Sequence, residues 1–141
     1  MSQPEDQARA ITAAMLAKDS FSRWLGIELE DVAVGSARIS MTVRADMLNG
    51  FSVGHGGITF SLADSAFAFA CNAHGRMTVS IESSMSYPKS VQLGDKLTAV
   101  ARELSAGGTI ANYDVTVTNG AGEVVGLFRG TAYRTKKQHL G

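Results

Sequence analysis

Asp64 is a carboxylate set among Leu62, Ala63, Ala66 and Phe67. Burying a carboxylate is costly unless it is paired, hydrogen-bonded or protonated. Two readings follow. Asp64 is either a structural group bonded to Ser61 or Ser65, or a general base or nucleophile facing a pocket. Nine residues upstream begins a second chemical feature, the run His55-Gly56-Gly57. At a helix start, unsatisfied N–H groups and the positive end of the dipole face outward. Glycine lets a ligand come close to that backbone, which suits a carbonyl oxygen that turns into an oxyanion during acyl transfer. The same glycines would equally serve a tight turn. His55 is expected to brace this loop by hydrogen bonding, since Asp64 already offers a base. His55, His74 and His139 lack metal-ligand spacing and no cysteine cluster accompanies them, so neither a metal nor a cofactor is expected.

Gly57 and Asp64 are seven residues apart, which places them on one helix face but ~10.5 Å apart along the axis. Attack on a carbonyl needs ~3–3.5 Å, and an oxyanion donor sits ~2.7–3.1 Å from its oxygen. One helix spans that gap awkwardly. Two antiparallel helices from two copies of the chain would bring Asp64 of one beside Gly57 of the other.

The elements around these residues read as follows. Residues 5–18 are rich in Ala, Gln, Met and Leu and predict a helix. Phe21, Trp24 and Leu25 extend its spacing to about 25 and are expected to clamp it on the core. After Gly26, residues 27–34 and 36–43 form a hairpin candidate about Gly35, with Ala37, Ile39, Met41 and Val43 alternating onto one face. Residues 58–74, apolar on nearly every side, predict a buried helix closed by Gly75. Strands are expected over 78–87, 96–104, 110–118 and 123–134, with a frayed polar tail over 135–141. Tight turns between consecutive strands imply antiparallel pairing. The economical solution is a single α+β domain over 1–141, a curved antiparallel sheet wrapped around the central helix, with its core at about 26–134. One sheet leaves such an apolar helix partly uncovered, so a partner subunit is expected to cover the remainder.

The 141 residues allow one compact core. Lys plus Arg equals Asp plus Glu at 13 each, so no net field attracts nucleic acid or anionic lipid; neither partner is expected. The lone Cys71 excludes an intrachain disulfide and is expected to be an inert core thiol. The opening residues Met1 to Asp6 lack a secretory pattern, and the most apolar segment is short and carries Asp64. A soluble cytoplasmic protein is therefore expected.

Met47-Leu48-Asn49-Gly50, His55-Gly56-Gly57 and Phe60-Ser61-Leu62-Ala63-Asp64 together resemble the hotdog-fold thioesterases of the phenylacetate-degradation (PaaI) type. Further similar features, among them Ser86-Tyr87-Pro88 and Leu127-Phe128-Arg129-Gly130, extend the likeness from about Ile27 to Arg134. The resemblance implies a homodimer with active sites at the interface, usually paired into a homotetramer. It implies that Asp64 attacks the thioester or activates water and that the Gly57 N–H polarises the carbonyl. Asn49 would hold the water or the thioester, His55 would position the loop near Asn49, and Ser80 would help hold the water. Gly56 belongs to the same substrate-binding turn, and Lys89, Arg129 and Arg134 are candidates for the CoA arm. The implied substrate is an acyl-CoA, with phenylacetyl-CoA and its hydroxylated derivatives fitting this type. Two rival functions share the fold: a dehydratase or hydratase pairing His55 with Asp64, and a non-catalytic acyl-CoA-binding protein.

Overall fold

The computed structural model describes residues 3–140. Met1 and Ser2, within the expected opening stretch, and Gly141, the end of the expected tail, lie outside it. Two helices come first, α1 (Pro4–Lys18) and α2 (Ser20–Leu25). Strands β1 (Glu28–Ala33) and β2 (Ser36–Thr42) follow, then a single 3-10 turn at Ala45–Met47 and the long helix α3 (Gly56–Asn72). Strands β3 (Arg76–Ser86), β4 (Lys96–Ala106), β5 (Ile110–Thr118) and β6 (Val124–Gln138) complete the chain. The strands form one six-stranded sheet in the order β1-β2-β4-β5-β6-β3, antiparallel throughout. The sheet wraps α3, which is the expected hotdog arrangement.

The alternation read for β2 holds: Ala37, Ile39, Met41 and the following Val43 are all buried. Small residues set the distance between helix and sheet. Ala63, Ala66 and Ala70 of α3 are fully buried, as are Ala99 and Ala101 of β4. Where the packing is aromatic, the sheet yields space. Phe67 packs between Tyr113 and Phe128, with ring centroids 5.6 and 5.7 Å away. A Cβ added at Gly130 would lie 2.8 Å from Cζ of Phe67. Gly130→Val should therefore overpack this contact and destabilise the fold by about 1–3 kcal/mol, seen as a lower midpoint in thermal or urea unfolding.

Four expectations about elements need correction. The N-terminal segment is two helices, because Asp19 leaves helical geometry and caps α2, its side chain accepting from the Ser22 N–H. Leu25 is fully buried as expected, but Phe21 and Trp24 are 54% and 50% exposed. They stack on each other, and the Arg44 guanidinium lies 5.1 Å from the Trp24 ring. The tail is not frayed from 135, since β6 continues to Gln138 where Arg76 of β3 supplies a ladder partner. Helix α3 begins at Gly56, two residues earlier than the apolar pattern predicts, because His55 caps it.

Helix α3 is also not buried on every side. Phe60, Ser61, Asp64 and Ala68 form a half-buried stripe at the i, i+4 spacing of one helix face. Beside it runs edge strand β3, where Met77, Val79 and Ile81 are 37%, 53% and 55% exposed.

Candidate active site

The loop that leads into α3 is built by the backbone. The Asn49 N–H donates to the Val53 carbonyl at 2.8 Å, and the His55 N–H to that of Met47 at 2.9 Å. The Asn49 side-chain oxygen accepts from the Phe51 and Val53 N–H groups at 2.8 and 3.4 Å, the Asx-turn behaviour that suits asparagine here. Its amide nitrogen has no partner among the described residues.

His55 braces the loop, though at a different point from the one expected. Its Nδ1 accepts from the Gly57 N–H at 2.8 Å, which requires the proton of the neutral ring on Nε2. The imidazole thus replaces the usual Ser or Asp as N-cap. As a result the Gly57 N–H is already engaged. Gly56 opens the helix with no partner for its N–H among the described residues, and the Tyr87 ring lies 3.5 Å from where its Cβ would be. A groove lined by Gly54, Gly56, Thr59, Tyr87, Lys89 and Val91 begins at this turn.

Asp64 lies two turns further along α3. The two serines that could have made it structural are otherwise engaged. Ser61 Oγ donates to the Gly57 carbonyl at 2.7 Å, and Ser65 Oγ bonds to Ser22 Oγ at 2.8 Å. No hydrogen bond reaches the Asp64 carboxylate among the described residues. Desolvation by burial pushes its pKa up, and the negative charge of Asp19 adds to the rise. Asp19 was not anticipated. Its sequence signal was only that of a helix cap, and its proximity to α3 comes from the packing of α2, recorded in the Asp19–Ser22–Ser65 chain of hydrogen bonds.

Ser80 lies on β3, two residues from Thr78, so alternation gives it the side that faces α3. Thr78 marks that side: its N–H and carbonyl both bond to the Asn72 side chain on α3. The Ser80 hydroxyl is 3.3 Å from that of Ser83.

The three basic candidates separate. Lys89 shares the groove of Gly56, with its ammonium paired to Glu123. Arg129 is held by Asp114 at 2.9 Å on the neighbouring strand. Arg134 donates to the Gly107 carbonyl at 2.6 Å, opposite Thr78 and toward the C-terminal end of α3. Neither arginine lines the groove at Gly56 within one chain. Cys71 is buried as expected, its thiol pushed up to about 12 chiefly by desolvation, so it is no nucleophile near neutral pH.

The model of the thioesterase superfamily matches residues 51–125, the stretch that contains His55, Gly57, Asp64 and Ser80. Acyl-coenzyme A thioesterase PaaI of Escherichia coli K12 is 40% identical over 121 residues, covering 86% of each chain. The solved structure of the E. coli PaaI protein from the phenylacetic acid degradation operon superposes with a TM-score of 0.94 at 36% identity, covering 96% of this chain and 99% of that one. The smu.793 protein of Streptococcus mutans UA159, solved bound to acetyl CoA, gives a TM-score of 0.77 at 30% identity, covering 79% and 90%.

Proposed function

We infer that this chain, which belongs to the thioesterase superfamily, is an acyl-CoA thioesterase in which Asp64 drives release of the free acid and CoA. One observation carries the reading: a half-buried carboxylate without a hydrogen-bond partner among the described residues, raised in proton affinity, on the half-buried face of the central helix. Its ionised form either attacks the thioester carbonyl or takes a proton from the water that does. Water adds to the carbonyl carbon, the C–S bond breaks and CoA leaves as the thiol.

The carbonyl oxygen is polarised by the Gly57 N–H at the positive end of α3, once the substrate displaces the His55 imidazole that holds this group. The free amide nitrogen of Asn49 holds the water or the thioester, and the Ser80 hydroxyl helps to hold the water. Lys89, beside Gly56, is the basic group best placed for the CoA arm; Arg129 and Arg134 would serve only across a subunit boundary. Phenylacetyl-CoA and its hydroxylated derivatives are the proposed aryl substrates, by analogy with the PaaI relative, which also supports a cytoplasmic setting in phenylacetate degradation. No helix among the described residues is long and apolar enough to cross a membrane. A panel of aryl- and alkyl-CoA thioesters assayed by thiol release tests the activity. Enoyl-CoA formation without thiol release would instead identify a dehydratase.

The proposed assembly is a homodimer with sites at its interface, paired into a tetramer. The half-buried stripe of α3 and the exposed apolar row of edge strand β3 support it. Mixing Asp64→Asn chains with Gly57→Val chains should restore part of the activity, because one hybrid site draws its intact Asp and its intact Gly from different copies. Absence of recovery, with subunit exchange shown, would mean that each site lies within one chain.

A further inference from the structure

Asp19 is a second carboxylate, and hydrogen bonds internal to the chain fix its place beside α3. Its Oδ1 accepts from the Ser22 N–H at 2.9 Å, and its Oδ2 lies 2.5 Å from Ser22 Oγ. Ser22 Oγ is in turn 2.8 Å from Ser65 Oγ on α3. An ionised carboxylate only accepts, so the direction of this chain is determined. The Ser22 hydroxyl donates to Asp19, and the Ser65 hydroxyl donates to Ser22. Both serines are buried, and hydrogen bonds that end on an anion are stronger than neutral ones. A helical serine has an alternative in the carbonyl four residues earlier, which Ser61 takes. Ser65 instead reaches out of its helix to α2, and it is the residue next to Asp64. Asp19 also lines one cleft with Asn72, which stands two i, i+4 steps from Asp64 on the same helix face.

The other titratable groups on the elements packed around this stretch of α3 are engaged elsewhere or stay neutral. Cys71 and Tyr113 are buried, and desolvation raises both. Arg23 of α2 donates to the Ala17 carbonyl at 3.0 Å. Arg76 of β3 is spent on the Thr135, Gly108 and Arg134 carbonyls, and Glu82 of β3 is exposed. His139 bonds to Asn72 at 2.7 Å. Lys18 lines the cleft beside Asp19. After desolvation by burial, the Asp19 charge is the influence felt at Asp64.

We propose that Asp19 is a positioning residue for the hydrolysis: tied to α3 through Ser22 and Ser65, its negative charge sets the pH at which Asp64 becomes a working base or nucleophile. The proposal rests on the thioesterase reading. A fixed anion near a carboxyl group favours the protonated form. Asp64 therefore ionises later on the pH scale, and it is the stronger base once ionised.

The test measures kcat/KM against pH for the best CoA thioester in wild-type protein, Asp19→Asn and Asp19→Ser. Asn and Ser are both strong N-caps, so α2 should persist, as melting temperature and circular dichroism would check. The acid limb of kcat/KM reports the free enzyme. It should move to lower pH in both variants. On that limb the rate follows the ionised fraction of Asp64, so each variant should exceed wild type severalfold there. At the plateau neither should exceed it, because the base is weaker. An acid limb that stays in place in both folded variants, whatever their plateau, would overturn the proposal, as would a limb that moves to higher pH. If wild-type protein releases CoA from no thioester at any pH, the thioesterase reading fails. The effect of Asp19 is then judged by carbon-13 NMR titration of the aspartate carboxyl groups, with the Asp64 signal identified by its loss in Asp64→Asn. A lower Asp64 midpoint in Asp19→Asn would support the coupling of the two carboxylates; an unchanged midpoint would overturn it.

Discussion

Replacing Asp64 by Asn should lower turnover by ~10²–10⁴, the usual cost of a positioned acid or base, while the fold survives. The substitution keeps the size of the side chain and removes only its capacity to take a proton or to attack. The loss should be in kcat, because the CoA arm binds elsewhere. Near-full activity of Asp64→Asn on the best substrate would dispose of the mechanism.

The same variant should be more stable than the wild type at neutral pH. Burial and Asp19 raise the carboxyl pKa above the ordinary aspartate value of 3.8. A carboxyl with a raised pKa binds its proton more tightly in the folded chain than in the unfolded one. Its contribution to stability is thus complete below 3.8 and is lost as pH rises through the folded value. At pH 7 the ionised Asp64 opposes folding, and Asn does not. Melting temperatures of the two proteins should therefore differ most at neutral pH and converge as pH falls toward the ordinary carboxyl range. Activity should follow the opposite course and rise as Asp64 loses its proton. A gap in melting temperature that widens on acidification would show that Asp64 is stabilised as an anion, against the unpartnered geometry.

How much of this was legible in the sequence depended on whether the signal was local. Alternation in β2 and the clean limits of β5 were readable because a two-residue period reports burial of one face directly. Asp64 was conspicuous because a charge in an apolar run is an anomaly whatever the fold. The Asp19 neighbour was not readable, since it arises where α2 docks on α3, forty-odd positions away in the chain. Phe21 and Trp24 misled for a related reason. Helical spacing shows that residues share a face but not which body that face meets, and here they stack outward beneath Arg44. The His55 cap was invisible because histidine is a rare N-cap, and its acceptance from Gly57 depends on a tautomer and a rotamer that no spacing encodes. The basic residues show the same limit: Lys89, Arg129 and Arg134 look alike as charges, and only the fold reveals that Lys89 lines the groove at Gly56 while Arg129 and Arg134 pair with Ser84 and Thr78 at different points of β3.

That His55 cap sharpens the test of the oxyanion donor. A Cβ at Gly57 would lie 2.9 Å from His55 Nδ1 and 3.2 Å from Cε1. Gly57→Val must therefore turn an exposed imidazole aside, at the cost of a helix cap worth about 0.5–2 kcal/mol, and it also keeps a thioester carbonyl away from the backbone. If the Gly57 N–H stabilises the developing oxyanion, this variant should lose ~2.7–4 kcal/mol of transition-state stabilisation, or about 10²–10³ in kcat, with a smaller change in KM. His55→Ala separates the two effects. It forfeits the same cap, so its melting temperature should fall comparably, yet it leaves the Gly57 N–H open to the substrate. Retained kcat in His55→Ala beside a large loss in Gly57→Val would assign the N–H to the reaction. Equal losses in the two would mean that Gly57 matters only as the seat of the imidazole, and a folded Gly57→Val protein with undiminished kcat would return His55-Gly56-Gly57 to a turn and nothing more.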